Sequence, residues 1–257
     1  MSALEHGVLA AAAARLSYGG RFWYTRRQLF FELVRHGTVA DPGADPEGAL
    51  ATFAEALAAV EAGAGELPRL IRPERLVDLP PPPELPPDVL DYSVRRVLLF
   101  DSVDLCLFFV CNGFHRRIEV GLVAWPPNQS ERRFPAHVWS RLQHQIDGEL
   151  STDFFLVADS DVQARRWRAE VHGEFGGRPH VRIRDAGLTF PWAFRLRIPV
   201  RSTGRAPEPD LVIPERHEWR GLLMVGSYAS LEELRPLKLM RWVYRRVARG
   251  AEDVGFG

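Results

Sequence analysis

Lysine is almost missing. Lys238 is the only one, and arginine carries nearly all of the positive charge. That bias reads as a habit of a GC-rich genome rather than a chemical demand. Cysteine is nearly as scarce: Cys106 and Cys111 are the only two, both inside an apolar segment. They fit reduced, buried thiols in a cytoplasmic protein better than a disulfide or a cysteine metal site. Net charge is absent too, +0 over 257 residues, so no global field draws the chain to nucleic acid. Any such contact has to come from a local patch. The alanine-rich start, Val8 to Ala14, is too short to span a bilayer and is flanked by Glu5 and Arg15, so no membrane anchor or export signal is expected. There is no Gly-rich phosphate loop, because Gly173 to Gly177 lacks the strand that must precede one. No serine stands in a nucleophile elbow. His115, His137, His144, His172, His180 and His217 show no metal-ligand spacing.

What is present is ordinary for a globular chain, 46% apolar and 26% charged. Ser2 to Leu16 reads as a helix stopped by Ser17-Tyr18-Gly19-Gly20. Thr25 is placed to cap a second helix, Arg26 to His36, with Leu29, Phe30, Leu33 and Val34 on one face and Gly37 as the stop. After a turn-rich loop from Asp41 to Gly48, a third helix over 49–62 gathers Leu50, Phe53, Ala54, Leu57 and Val60. Three short helices predict a small helical, winged-helix-like unit over residues 1–78. The prolines of 79–87 favour an extended polyproline form, which makes 79–93 the linker; a proline-motif ligand is the functional alternative.

From 94 onward the pattern alternates. Val94 to Phe100 is an apolar strand, Val103 to Asn112 a helix, Ile118 to Trp125 a strand and Phe134 to Ile146 a helix. Asn112-Gly113-Phe114-His115 is a stop and turn. Strand candidates follow at 181–183 and 222–225. Such alternation predicts an α/β domain with a parallel sheet over 94–257. The last helix, Leu234 to Ala248, offers Leu237, Met240, Tyr244 and Val247 to a core. Lys238, Arg241, Arg245 and Arg249 lie on another face, a solvated stripe or a set of phosphate contacts.

The most informative stretch is Phe154 to Asp161. It opens as a fully apolar run suited to a strand buried on both faces, and it ends in Asp159-Ser160-Asp161 before a helix from Val162 to Phe175. Open α/β sheets place ligands at the C-terminal edge of their strands. Asp101 closes an earlier strand in the same way. Three carboxylates at one edge suit Mg²⁺, a hard cation that keeps several waters and neutralises phosphate charge during phosphodiester cleavage. The competing reading is a helix cap, in which Asp or Ser accepts backbone N–H bonds and no metal is involved.

Here the chain resembles the topoisomerase VI A-subunit superfamily, which includes the meiotic break-forming proteins and the nuclease subunits of some bacterial plasmid-defence complexes. Thr25-Arg26-Arg27-Gln28-Leu29-Phe30-Phe31-Glu32-Leu33-Val34 is similar to the family's helix carrying a tyrosine pair. Val97 to Asp101 and Leu156 to Asp161 resemble the two acidic strands of its TOPRIM domain. Asp185 to Thr189 and Ser230 to Pro236 are similar to its late segments. The resemblance implies a TOPRIM-like second domain, with Asp101, Asp159 and Asp161 as catalytic Mg²⁺ ligands. With it goes DNA as partner, contacted through Arg26, Arg27, Arg241, Arg245 and Arg249.

The departures redirect the function. Phe31 stands where the family's topoisomerases carry the nucleophilic tyrosine, and phenylalanine has no hydroxyl with which to form a phosphotyrosyl bond. Tyr24 lies seven residues upstream, before the cap, where it reads as a packing residue. Asp101 is one methylene shorter than the family's glutamate. Val162-Gln163-Ala164 replaces the glycine after the acid pair, and Ser230 stands where a late acid aligns, with Glu232 close by. Covalent break-and-rejoin chemistry is therefore disfavoured. Two expectations remain. One is a DNA-associated, Mg²⁺-dependent nuclease component. The other is a catalytically inactive structural or interaction subunit with a protein partner, a homodimer being one form of it.

Overall fold

A computed structural model describes residues 4–76, 94–127, 134–203 and 226–248. The proline stretch and linker of 79–93, the strand expected over 222–225, His217 and Arg249 lie outside these residues. Two compact units emerge. One comprises the described parts of Met1–Ile71 with Asp159–Val162 and Leu188–Met240; the other those of Arg72–Ala158, Gln163–Gly187 and Arg241–Gly257. The sequence places the boundary at the proline linker; this division groups the described residues of 188–240 with the N-terminal helices.

The first unit is built around α2 (Arg26–Arg35), with α1 (His6–Ser17) and α3 (Pro46–Ala64) against it. Leu9, Ala12, Ala13 and Leu16 form the buried stripe of α1, and the alanines let the neighbouring helix come close. Thr25 opens α2 with a reciprocal box: its hydroxyl accepts from the Gln28 N–H and the Gln28 side chain accepts from the Thr25 N–H, both at 3.1 Å. The sequence predicts one apolar face for α2. In fact Gln28 through Leu33 are all buried, so the helix is enclosed on every side. Phe30 packs on Phe53 of α3 with ring centroids 5.5 Å apart. Asp45 caps α3 by accepting the Gly48 N–H at 3.0 Å. After α3 the chain makes a parallel bridge, Tyr24 to Leu70, and the described residues there contain no hairpin that would serve as a wing.

The second unit is α/β. Strands β1 (Arg96–Phe100), β2 (Gly121–Ala124), β3 (Thr152–Val157) and β4 (Val181–Asp185) form a parallel sheet in the order β2-β1-β3-β4. The apolar runs of β1, β2 and β3 are buried on both faces, as parallel sheets require, while the edge strand β4 alternates Val181 and Ile183 with Arg182 and Arg184. Val97, Leu99, Phe154 and Leu156 join a cluster with Leu142 and Ile146 of α7 (Ala136–Asp147) and with Trp167, Val171 and Phe175 of α8 (Val162–Phe175). Facing the other way, Phe100 stacks on Phe109 of α5 (Val103–Cys111) at 5.2 Å, and Phe109 meets Phe114 of α6 (Phe114–Ile118) at 4.8 Å. A short helix, α4 (Pro73–Leu76), precedes the sheet. The strand expected from Ile118 starts three residues later, because Gly113 and Glu119, both at positive φ (66° and 50°), bracket the extra turn α6.

Residues beyond β4 return to the first unit: α9 (Phe190–Leu196), a two-residue pair of β5 (Arg201–Ser202) with β6 (Ser227–Tyr228), and a 3₁₀ turn at Leu231–Glu233. The final helix, α10 (Pro236–Ala248), buries Leu239, Met240, Val243 and Val247. Tyr244, expected inside, is 48% exposed, and Leu237 is only half-buried. The apolar stripe is therefore rotated by about one residue from the expected one, and Arg241 and Arg245 are exposed as expected. Among the described residues no helix is long and apolar enough to cross a membrane.

Candidate functional site

Within the α/β unit, β1 and β3 are level at their C-terminal ends, Phe100 opposite Val157. The order β2-β1-β3-β4 reverses direction between these two strands, which is the switch point where such sheets hold ligands. Asp101 follows β1 directly and is half-buried. The cap of α5 is its neighbour Ser102, whose hydroxyl accepts the Leu105 N–H at 3.4 Å. Asp159 and Asp161 follow β3 in sequence but belong to the first unit.

There the acids surround a cation of the chain itself. One oxygen of Asp159 accepts the Leu231 N–H at 2.7 Å, and the other lies 3.9 Å from the Arg27 guanidinium. Arg27 also reaches Glu47 at 3.3 Å and stands 3.9 Å from Glu232. Glu232 is held in turn by the Thr25 hydroxyl. Burial alone would lower the Arg27 pKa, but Asp159, Glu232, Glu47 and Asp161 together hold it above the ordinary arginine value. Arg27 keeps 24% of its side chain exposed. The sequence places it at a phosphate; in the fold it faces four carboxylates.

Of the three acids that the resemblance assigns to Mg²⁺, Asp159 and Asp161 act on Arg27. A guanidinium among these acids already supplies positive charge at the place where a bound cation would supply it. Both Asp159 oxygens face donors of the same unit.

Phe31, at the position of the family's tyrosine, is buried, and the Arg201 guanidinium sits 5.3 Å from its ring centre. Arg201 bonds Asp41 at 2.9 and 3.0 Å and also bonds Glu233. The Tyr228 ring lies 5.9 Å from the same guanidinium, and burial pushes its hydroxyl up to about 12. Tyr24 is fully buried and donates to the Pro68 carbonyl at 3.0 Å, in keeping with a packing role. Both cysteines are unpaired thiols, and burial pushes both above the ordinary thiol value.

A second polar centre is not among the residues that the sequence singles out. Glu32, completely buried on α2, takes Arg15 at 2.9 Å, Arg235 at 3.0 and 3.1 Å, and Arg35, with the His36 ring at 3.1 Å. A lone acid inside Phe30-Phe31-Glu32-Leu33 is the available signal, since a charge within an apolar run has to be paired. Nothing local marks Arg201 or Glu233. Comparison of the chain with models of known families, with curated proteins and with solved structures finds no match.

Proposed function

We propose that the chain is a DNA-associated interaction subunit that binds without cutting. What supports the reading is the place of Arg27: Asp159 and Asp161, two of the three acids that would serve a metal, act on an arginine of their own unit. A guanidinium supplies one positive charge but no bound water and no open coordination position, so it offers nothing to attack a phosphodiester. Phe31 removes the alternative, covalent attack by tyrosine. Support for DNA association comes from Arg241 and Arg245. They are exposed one turn apart on α10, a local patch of positive charge on a chain with no net charge.

The test is duplex binding by fluorescence anisotropy over a salt series, together with nicking of supercoiled plasmid in Mg²⁺. Arg241 and Arg245 should contribute about −1.8 to the slope of log affinity against log salt, at about −0.9 per phosphate. Alanine at both should flatten the slope by that amount for every sequence tried. Plasmid should stay intact. Mg²⁺-dependent nicks that vanish in an Asp159→Asn, Asp161→Asn variant would overturn the non-cutting reading, and a negligible, salt-insensitive affinity would overturn DNA association.

A further inference from the structure

The first unit contains a cavity of about 770 Å³ that Arg27 and its ring of acids do not line. One wall is a single face of α2: Phe31, Val34 and Arg35, at spacings of three and four. Ile198 and Leu234 extend the apolar lining, and Arg197, Arg235 and Lys238 stand with Arg35 around it. The volume lies in the range of sites for small organic molecules, far above what a bare ion needs.

Charge around this cavity is unequal. Among the described residues five cations and two acids line it: Arg201 lies between Asp41 and Glu233, and Arg35 and Arg235 pair with Glu32 behind the wall. Arg197 and Lys238 have no carboxylate among their described contacts; Lys238 gives one hydrogen bond, to the Leu196 carbonyl at 3.3 Å. Arg197 is fixed at the C-cap of α9 in the left-handed conformation, φ 57°. Both are exposed, which places them where an entering ligand would meet them first. An apolar floor with surplus cations above it complements a ligand that has an anionic head and a flat or apolar body. A phosphate matches the head best, because arginine presents paired donors to its oxygens. The Phe31 and Tyr18 rings line the same space and suit a flat body.

We propose that this cavity binds an organic phosphate of mononucleotide size, phosphate toward Arg197 and Lys238 and the ring system over the apolar lining. Isothermal titration of the full chain with adenosine 5′-monophosphate, adenosine, inorganic phosphate and a 5′-phosphorylated single-stranded oligonucleotide tests it. The monophosphate should bind at least tenfold more tightly than adenosine or phosphate alone. Arg197→Ala with Lys238→Ala should weaken it tenfold or more while the circular dichroism spectrum stays unchanged, since both residues are on the surface. Tight binding of the oligonucleotide, lost in the same variant, would identify a nucleic-acid end as the source of the phosphate; binding of the free monophosphate alone would identify a metabolite. If none of the four ligands binds, or if binding is indifferent to the double substitution, the proposal fails. Duplex affinity through Arg241 and Arg245 is a separate measurement, so either result stands without the other.

Discussion

Replacing Glu32 by glutamine keeps the size of the side chain and removes the charge on which Arg15, Arg35 and Arg235 converge. The carboxylate is fully buried, while the three arginine side chains remain 38%, 39% and 39% exposed. That asymmetry sets the magnitude. Breaking a fully buried pair costs about 3–5 kcal/mol, and an exposed pair contributes about 0–1 kcal/mol. Water already reaches each guanidinium, so each pair belongs near the upper end of the surface range. The three together give about 2–3 kcal/mol. At roughly 2–4 °C per kcal/mol for a unit of this size, the melting temperature should drop by roughly 4–12 °C.

The acid side of the stability curve gives an independent reading. Burial by itself would raise the Glu32 carboxyl. Hydrogen bonds from Arg15 and Arg235, with the charges of Arg235 and Arg35, outweigh it and hold the group below its ordinary 4.5. A carboxyl depressed by folding stabilises the protein above its unfolded pKa, and that contribution is lost as pH falls through the folded value. The parent should therefore lose stability below about pH 4.5, and the Glu32→Gln variant should show a shallower loss there. Thermal melts followed by circular dichroism from pH 7 to 3, with hydrogen exchange on the α2 amides, measure both effects. A variant that melts within a degree of the parent, with the same acid limb, would refute the assignment of Glu32 as a fastener.

Two backbone predictions follow from local geometry. Thr25→Ala removes the acceptor for the Gln28 N–H and the hydroxyl that holds Glu232, so it should cost about 1–2 kcal/mol in urea unfolding, and Thr25→Ser should recover most of it. Gly187→Ala places a methyl 2.6 Å and 2.7 Å from the Ala158 carbonyl oxygen and nitrogen, which are backbone and cannot swing aside, so about 1–3 kcal/mol should be lost. Gly173→Ala in α8, with open space around the new methyl, should instead gain up to about 1 kcal/mol, and the reverse order would show that the close approach at Gly187 is misread.

The parts of the fold that are legible in sequence are those set by neighbours in the chain. The apolar runs of β1 and β3 have to be buried on two faces, and Thr25 with Gln28 spells a helix start, so both can be found. The bounds of α8, Val162 to Phe175, agree with the sequence pattern. The phase of α10 does not, because Met240 and Val247 belong to two overlapping stripes, and a tyrosine tolerates water at its polar tip. The grouping of the described residues of 188–240 with the N-terminal helices is not legible at all. It depends on contacts such as Arg235 to Glu32, 203 positions apart, for which no periodicity exists. The acids after β3 are visible as chemistry, but their partner Arg27 reads as a phosphate contact, since nothing in a linear pattern says which distant charge a carboxylate will meet.

The charges of the first unit fall into two classes by what they join. Arg27 with Asp159, Arg201 with Asp41, and Arg235 with Glu32 each tie together segments that lie far apart in the sequence. A pair used in this way is not open to a ligand, because removing either member leaves a buried charge uncompensated. At the cavity the acids are held in this way, since Asp41 and Glu233 both bond Arg201. The cations are not, since Arg197 and Lys238 remain at the cavity. A chain that is neutral overall therefore has a surplus of one sign at one place, and the surplus is positive. A ligand of this cavity is selected by that sign, which favours an anion.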